Sequence, residues 1–202
     1  MSDPATHGRV LIRRSVALHA HTTIGLGGPA RYFAVCAGEQ DVRDALESAR
    51  REAWRVQIIG GGSNVVFPDA GFPGLVIKIA VGGVAYQPAG GDTVLVEAGA
   101  GIAWDDLVAE AVRRGLSGVE CLSGIPGTVG GTPIQNVGAY GQEIADTLVD
   151  VDCLDRERLA RVTFDRDACG FAYRTSRFKT VDRDRYVVLA VRLRLRSGAR
   201  PA

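Results

Sequence analysis

The stretch Ser123-Gly-Ile-Pro-Gly-Thr-Val-Gly-Gly-Thr-Pro-Ile-Gln-Asn-Val-Gly-Ala-Tyr-Gly141 governs how the rest of the chain is read. Six of its 19 residues are glycine, two are proline and none is charged. A solvated linker this rich in glycine carries Ser, Glu or Lys between the glycines. Here the spacers are Ile125, Val129, Ile134, Val137 and Tyr140, which is the composition of a segment meant to be buried. Buried backbone must find hydrogen-bond partners, and glycine lets N–H groups approach a polar ligand closely. Two readings follow. One is a tightly packed crossover with special backbone angles; the other is a cradle for a large planar or phosphorylated cofactor. The second is the sharper and is carried forward.

Upstream of the cradle, Ala103 to Arg114 reads as a helix. Leu107, Val108, Ala111 and Val112 form its apolar stripe, Asp105 and Asp106 sit in its first turn, and Gly115 stops it. Strands are expected at Thr93–Ala98 and Leu75–Ile79, with turns at Gly82-Gly83 and Pro88–Asp92 between them. Further back, Val56–Ile59 is a short strand that runs into Gly60-Gly-Gly-Ser-Asn64. That ending is either a plain β-turn or a loop of exposed N–H donors able to hold a pyrophosphate. No Gly-Lys-Ser/Thr follows, so it is not a triphosphate P-loop. Glu39 to Trp54 is an amphipathic helix with Val42, Ala45, Leu46 and Ala49 inward, preceded by a strand at Arg31–Ala37. Gly25 to Ala30 fits G-x-G-x-x-A, but no strand precedes it and Pro29 falls where a helix should propagate, so the match is a decoy. His19 and His21 have no acidic or cysteine partner nearby and read as surface or packing residues; no metal is expected. Residues 1–18 offer a strand at Val10–Ile12 and little else.

Downstream, Leu148–Leu154 and Leu159–Phe164 form a hairpin over Asp155–Arg158. In the last element Val187, Leu189, Val191, Leu193 and Leu195 alternate with Ala190, Arg192, Arg194 and Arg196, a half-buried strand with a basic outer face. Residues 1–155 hold 11 Lys and Arg against 18 Asp and Glu, a net of −7; residues 156–202 hold 13 against 5, a net of +8. Without aromatic platforms or a nucleic-acid motif, that basic end fits an anionic small molecule better than nucleic acid. The cluster Cys169-Gly-Phe-Ala-Tyr173-Arg174-Thr-Ser176-Arg177-Phe178-Lys179 admits two readings equally. It is an ordinary amphipathic turn, or it holds an arginine beside tyrosine, shielded by phenylalanine, to stabilise an oxyanion.

Composition sets the class. Hydrophobic residues make up 46% of the 202, charged residues 23%, and glycine, at 26 residues, is about double its usual share. No apolar run approaches the ~20 residues that span a bilayer. The N-terminus lacks an apolar h-region with a cleavage site, so cytoplasmic residence is expected. Cys36, Cys121, Cys153 and Cys169 form no C-x-x-C pair and read as buried thiols.

Taken in order, these segments resemble a known family. His21-Thr-Thr, Gly27-Gly-Pro-Ala-Arg31, Gly60–Asn64, Ser123–Gly131, Pro133-Ile-Gln-Asn136, Gly138-Ala-Tyr-Gly141 and Tyr173–Lys179 are similar to the motifs of the UDP-N-acetylenolpyruvoylglucosamine reductases, also called UDP-N-acetylmuramate dehydrogenases. The similarity runs from about residue 16 to 196. It implies an α+β FAD-binding fold of the vanillyl-alcohol oxidase (PCMH) type, with a first lobe over 1–80, a second over 81–197, a tail at 198–202 and the flavin between the lobes. It also implies non-covalent FAD, NADPH as electron donor, a UDP-sugar substrate and a place in peptidoglycan-precursor synthesis. By this resemblance Gly60, Gly61, Gly62, Ser63 and Asn64 bind the cofactor. So do Ser123, Gly124, Ile125, Pro126, Gly127, Thr128, Gly130, Gly131, Gln135, Asn136, Gly138, Tyr140 and Gly141. Arg174 is the catalytic arginine that stabilises an enolate, with Tyr173 and Lys179 binding substrate. Family members continue into a C-terminal substrate-binding domain that carries a protonating serine, followed by a catalytic glutamate. Only Ser-Gly-Ala-Arg-Pro-Ala follows Arg196, so the expectation is the FAD-binding part alone, with the missing domain or a partner protein supplied separately. The other reading is an FAD-binding module without reductase activity.

Overall fold

In the computed structural model, residues 5–7 and 10–198 are described. They fall into two compact units, Met1–Val81 and Gly82–Ala202.

The first unit is built on strands β1 (Ala5–His7), β2 (Val10–Ala17), β3 (Pro29–Cys36), β4 (Val56–Ile59) and β5 (Phe72–Ile79), with helix α1 (Glu39–Arg51) between β3 and β4. The sheet order is β1-β2-β3-β5-β4, antiparallel at β2–β3 and parallel at β3–β5 and β4–β5. α1 starts where Asp41 Oδ2 accepts the N–H groups of Ala37 and Gly38 at 2.9 and 3.1 Å, satisfying donors that a helix start leaves orphaned. Its buried stripe is Val42, Ala45, Leu46 and Ala49, as the periodicity requires. A separate apolar cluster gathers Leu18, Ala30, Phe33, Ile59, Phe67 and Val76. β5 begins at Phe72, three residues before the expected Leu75, because the sequence signal is hidden by Pro73 and Gly74. Gly74 is there for space: a Cβ on it would lie 2.3 Å from the Arg55 carbonyl oxygen.

The second unit contains β6 (Val84–Pro88), β7 (Thr93–Gly99), α2 (Trp104–Arg113), β8 (Leu116–Ser117), β9 (Gly138–Ala139), β10 (Gln142–Glu143), α3 (Ile144–Thr147), β11 (Leu148–Asp155), β12 (Arg161–Asp165) and β13 (Tyr186–Ser197). The main sheet runs β12-β11-β13-β7-β6 with every neighbour antiparallel, and β8 pairs with the end of β13. β13 lies at its centre: Val187, Leu189, Val191, Leu193 and Leu195 are buried while Arg194 and Arg196 are exposed. β6 has no counterpart among the elements expected from sequence, where turns fall at Gly82-Gly83 and Pro88–Asp92 and the residues between them are left unassigned. It is an edge strand, mostly exposed and ending on Pro88, so it carries little apolar pattern. The stripe of α2 also needs one correction. Val112 is 39% exposed and Trp104 takes the inward place, its indole N–H donating to the Leu122 carbonyl at 2.9 Å.

Cys36, Cys153 and Cys169 are buried free thiols; burial pushes Cys36 and Cys169 up to about 12. Among the described residues no helix is long and apolar enough to cross a membrane.

Candidate functional site

In the second unit the Ser123–Gly141 segment is laid along the start of α2. Val129 and Gly130 donate their N–H groups to the carbonyls of Ile102 and Ala100, both at 2.9 Å, and the Gly127 carbonyl accepts from Trp104 N–H at 3.1 Å. The entry to the segment is fixed by Asp105, whose Oδ1 accepts the Gly124 N–H at 2.7 Å and the Ser123 hydroxyl at 2.8 Å. Those two bonds hold the Asp105 carboxyl below the usual carboxylate range. Gly131 and Thr132 then turn through a short 3-10 helix, and Val137 N–H closes back on the Thr132 carbonyl at 3.0 Å. The segment ends in the hairpin of β9 and β10, where Tyr140 and Gly141 both have positive φ, at 50° and 83°.

This arrangement sorts the expected contacts. The N–H groups of Gly124, Gly130 and Gly131 and the hydroxyl of Ser123 are occupied within the protein, so they are not the ligand donors the sequence suggested. Gly130 is glycine for packing, since a Cβ there would meet the Ala100 Cβ at 2.6 Å. Gly138 is similar, with the Glu143 Cγ at 2.9 Å from its would-be Cβ. Gly124, Gly131 and Gly141 differ: a Cβ on any of them meets nothing within 4 Å. Val129 and Val137 are buried as expected, whereas Ile125 and Ile134 are half-buried and Tyr140 is 90% exposed. Pro126 is exposed, and Gly127, Thr128 and Gln135 are half-buried. The segment is therefore anchored by one side and open on the other.

The Tyr173–Lys179 cluster is brought directly against it. Ala172 and Thr175 close a tight turn on each other, at 3.2 and 3.1 Å, with Tyr173 and Arg174 at its tip. Asn136 Nδ2 donates to the Ala172 carbonyl at 3.2 Å, and the Ser176 hydroxyl donates to the Ile134 carbonyl at 2.8 Å. Lys179 Nζ donates to the Arg174 carbonyl at 3.0 Å. Asn136 was expected at the cofactor, but its side chain is buried and occupied by Glu143, Ala172 and Ala145. The shielded arginine of the cluster is also not the expected one. Arg177 lies 4.3 Å over the Phe164 ring and donates to Asp182 at 2.6 Å and to the Ala168 carbonyl at 2.8 Å. Phe178 packs edge-on against Phe164 and Tyr186. Arg174 is exposed, as is Tyr173 at 84%, and sits at φ 52°.

In the first unit, Gly60–Asn64 is a turn at the end of β4. Gly62, at φ 74°, is buried, and a Cβ on it would lie 2.0 Å from the His21 carbonyl oxygen. Its own carbonyl accepts the Thr23 N–H at 3.0 Å. Gly61, Ser63 and Asn64 are exposed and Gly60 is half-buried. Beneath the turn the His21 ring stacks on Phe33 with centroids 4.4 Å apart, and its Nδ1 is buried without a hydrogen-bond partner. Burial, then the nearby Lys78, Arg13 and His19 charges, lowers the His21 pKa. Sequence reasoning missed Asp105, Glu143 and Ser176 as site-builders. Their partners lie 18, 7 and 42 residues away, and no local pattern reports such pairs.

The residues present fit a flavin nucleotide. The glycine segment itself contains no charged residue, the exposed Tyr140 and Tyr173 lie in and beside it, and a Cβ on Gly131 or Gly141 would meet nothing within 4 Å, leaving open space there. Comparison with known proteins agrees. The family model for an FAD-binding domain matches residues 30–157. The chain is 47% identical to UDP-N-acetylenolpyruvoylglucosamine reductase of Saccharopolyspora erythraea over 186 residues, covering 92% of this chain and 50% of the relative. It is 44% identical to the reductase of the same name from Pseudomonas aeruginosa over 184 residues, covering 91% and 54%. Among solved structures, UDP-N-acetylenolpyruvylglucosamine reductase from Thermus caldophilus superposes with a TM-score of 0.73 at 33% identity, covering 96% of this chain and 64% of that one. Cholesterol oxidase from B. sterolicum shares the fold, with a TM-score of 0.66 at 14% identity over 98% of this chain and 39% of that one. The fold is the α+β, vanillyl-alcohol oxidase type. The chain spans about half the length of the curated relatives it matches.

Proposed function

The chain belongs to the FAD-binding domain family, and on that premise we propose that it binds FAD non-covalently and serves the NADPH-dependent reduction of a UDP-N-acetylglucosamine enolpyruvyl group. The observation that carries this reading is the junction in the second unit, where the open glycine segment and the Arg174 turn are tied together by Asn136 and Ser176. FAD, when bound, supplies the hydride-transfer chemistry. The Gly60–Asn64 turn holds pyrophosphate, through Gly61, Ser63 and Asn64 on its exposed side. The open side of Ile125–Thr128, with Gly131 and Tyr140–Gly141, lies against the flavin ring and keeps water from it. Arg174 stabilises the negative charge that develops on the substrate as an enolate. Its planar, permanently charged fork suits a carboxylate or enolate oxygen, and such a contact strengthens as water is excluded. Tyr173 and Lys179 stand beside it to contact the UDP-sugar, Lys179 also bracing the turn through the Arg174 carbonyl. On this reading the chain serves peptidoglycan-precursor synthesis in the cytoplasm.

The test is optical. Purified protein incubated with FAD should be yellow, and acid precipitation should leave the flavin in the supernatant. Colour held in the pellet would contradict non-covalent binding, and colourless protein would remove the whole reading. NADPH should bleach the flavin anaerobically, and the enolpyruvyl sugar should restore its colour once the other half of a family relative is supplied alongside this chain. A flavin-binding module without reductase activity gives the yellow complex without that restoration even then.

A further inference from the structure

Asn136 is 1% exposed and holds φ at 45°, in the left-handed region that few side chains enter. Asparagine can adopt that conformation because its amide bonds locally. Here Nδ2 donates to Glu143 Oε2 at 2.7 Å and to the Ala172 carbonyl at 3.2 Å, while Oδ1 accepts the Ala145 N–H at 3.2 Å. Both donor hydrogens are thus in use and the carbonyl already accepts one bond, so Asn136 has no N–H left to donate to a ligand. Ser176, also 1% exposed, ties the far side of the Arg174 turn to the Ile134 carbonyl. Residues 134 and 136 of the glycine segment therefore hold both ends of the turn that carries Arg174.

We infer that Asn136 is a positioning residue, which with Ser176 makes the Arg174 turn move with the glycine segment, so that a ligand seated on the segment orders Arg174. The ligand half of this rests on the FAD reading above; the tether half does not. Buried amides bonded to a carboxylate are stronger than neutral pairs, so Asn136–Glu143 is the fixed end and Asn136–Ala172 the weaker link to the turn. Arg174 contributes nothing to the tether: among the described residues its guanidinium makes no hydrogen bond or ion pair, leaving it available.

The experiment follows amide hydrogen exchange at Ala172 and Thr175, whose N–H groups bond across the turn. The informative variant is Asn136→Asp with Glu143→Gln. The carboxylate introduced at position 136 still accepts from Ala145 and from the new glutamine amide, but nothing donates to Ala172. Ser176→Ala cuts the second tether and carries the test if the double variant does not fold. In either variant without FAD, both amides should exchange about five- to tenfold faster, the scale of one lost hydrogen bond, while Val191 in β13 stays protected. FAD should slow the two amides in the unaltered protein and fail to slow them in the variants, with FAD affinity kept within about threefold. Equal slowing in unaltered and variant protein overturns the inference. So does loss of FAD binding with turn exchange unchanged, which would make Asn136 a ligand contact. If unaltered protein binds no FAD, the FAD reading and the coupling built on it fall, while the exchange of the FAD-free variants still decides the tether.

Discussion

One methyl group, added at Gly130 or at Gly131, separates packing from ligand contact in the glycine segment. At Gly130 an ideal Cβ stands 2.6 Å from the Ala100 Cβ and 3.2 Å from its Cα and carbonyl oxygen. Carbon atoms prefer about 3.5–4.0 Å, so backbone must shift by most of an ångström. The Gly130 N–H bond to that same Ala100 carbonyl, at 2.9 Å, opposes the shift. Gly130→Ala should therefore destabilise by about 1–3 kcal/mol, the range of overpacked cores. At about 4 °C per kcal/mol that is a clear drop in melting temperature. Ala100→Gly in the same chain should recover most of it, since it deletes the opposing methyl. At Gly131 the added Cβ meets nothing within 4 Å and the backbone lies outside the left-handed region. Gly131→Ala should then be neutral or stabilise by up to about 1 kcal/mol through the unfolded chain. Its effect belongs to the ligand: a methyl on the open side should weaken FAD at least about tenfold, or 1.4 kcal/mol. Thermal unfolding without FAD and fluorescence titration with it measure the two separately. Unchanged FAD affinity in Gly131→Ala would return the segment to a packed crossover, and equal melting of the two single variants would refute the packing argument.

Three further outcomes are expected. The depressed pKa of His21 means the folded chain takes a proton there less readily than the unfolded chain. Stability is thus full above the ordinary histidine range near 6.5 and declines as pH falls below it; melting temperatures from pH 8 to 5 should show this slope, and His21→Phe should flatten it. Asp105→Ala should release the start of the glycine segment, seen as roughly fivefold faster exchange of the Gly124 amide. Because the Asp105 carboxyl is held low in the folded protein, the same loosening should appear in unaltered protein as pH falls through the carboxylate range. Arg177→Ala should cost about 1–3 kcal/mol, through lost bonds to Asp182 and Ala168, while Arg174→Ala should stay within about 0.5 kcal/mol by chemical denaturation.

The sequence exposes those parts of this fold that depend on period or on backbone chemistry. α1, α2 and β13 are legible because burial repeats at 3.6 or 2 residues along one element. The glycine turns are legible because Gly62, Gly124 and Gly141 need positive φ. What fails are features settled by a neighbour. β6 is a strand because β7 pairs with it, although its own residues are mostly exposed. Gly130 looks like a ligand glycine until Ala100 is placed beside it, and Tyr140 looks like a buried spacer until the β9–β10 hairpin turns it outward. Asn136 reads as one more polar residue of a cofactor motif; only the approach of Ala172 shows that its amide is occupied.

The two arginines of the Tyr173–Lys179 cluster show how a local pattern can assign a property to the wrong residue. Aromatic shielding and charge together select an arginine held in place, and the structure supplies one in Arg177. A guanidinium so engaged has few donors left for a ligand. Arg174 has the opposite design. Its backbone is held in a conformation that costs an L-residue roughly 1 kcal/mol, by bonds from Asn136, Ser176 and Lys179 around the turn. Its side chain is left exposed. Strain of this kind persists where the surroundings over-determine it, and here every bond that does so fixes main chain. A site that must present a cation to a passing anion needs that division: rigid backbone, unsatisfied guanidinium. Within this unit Arg174 meets both conditions and Arg177 fails the second.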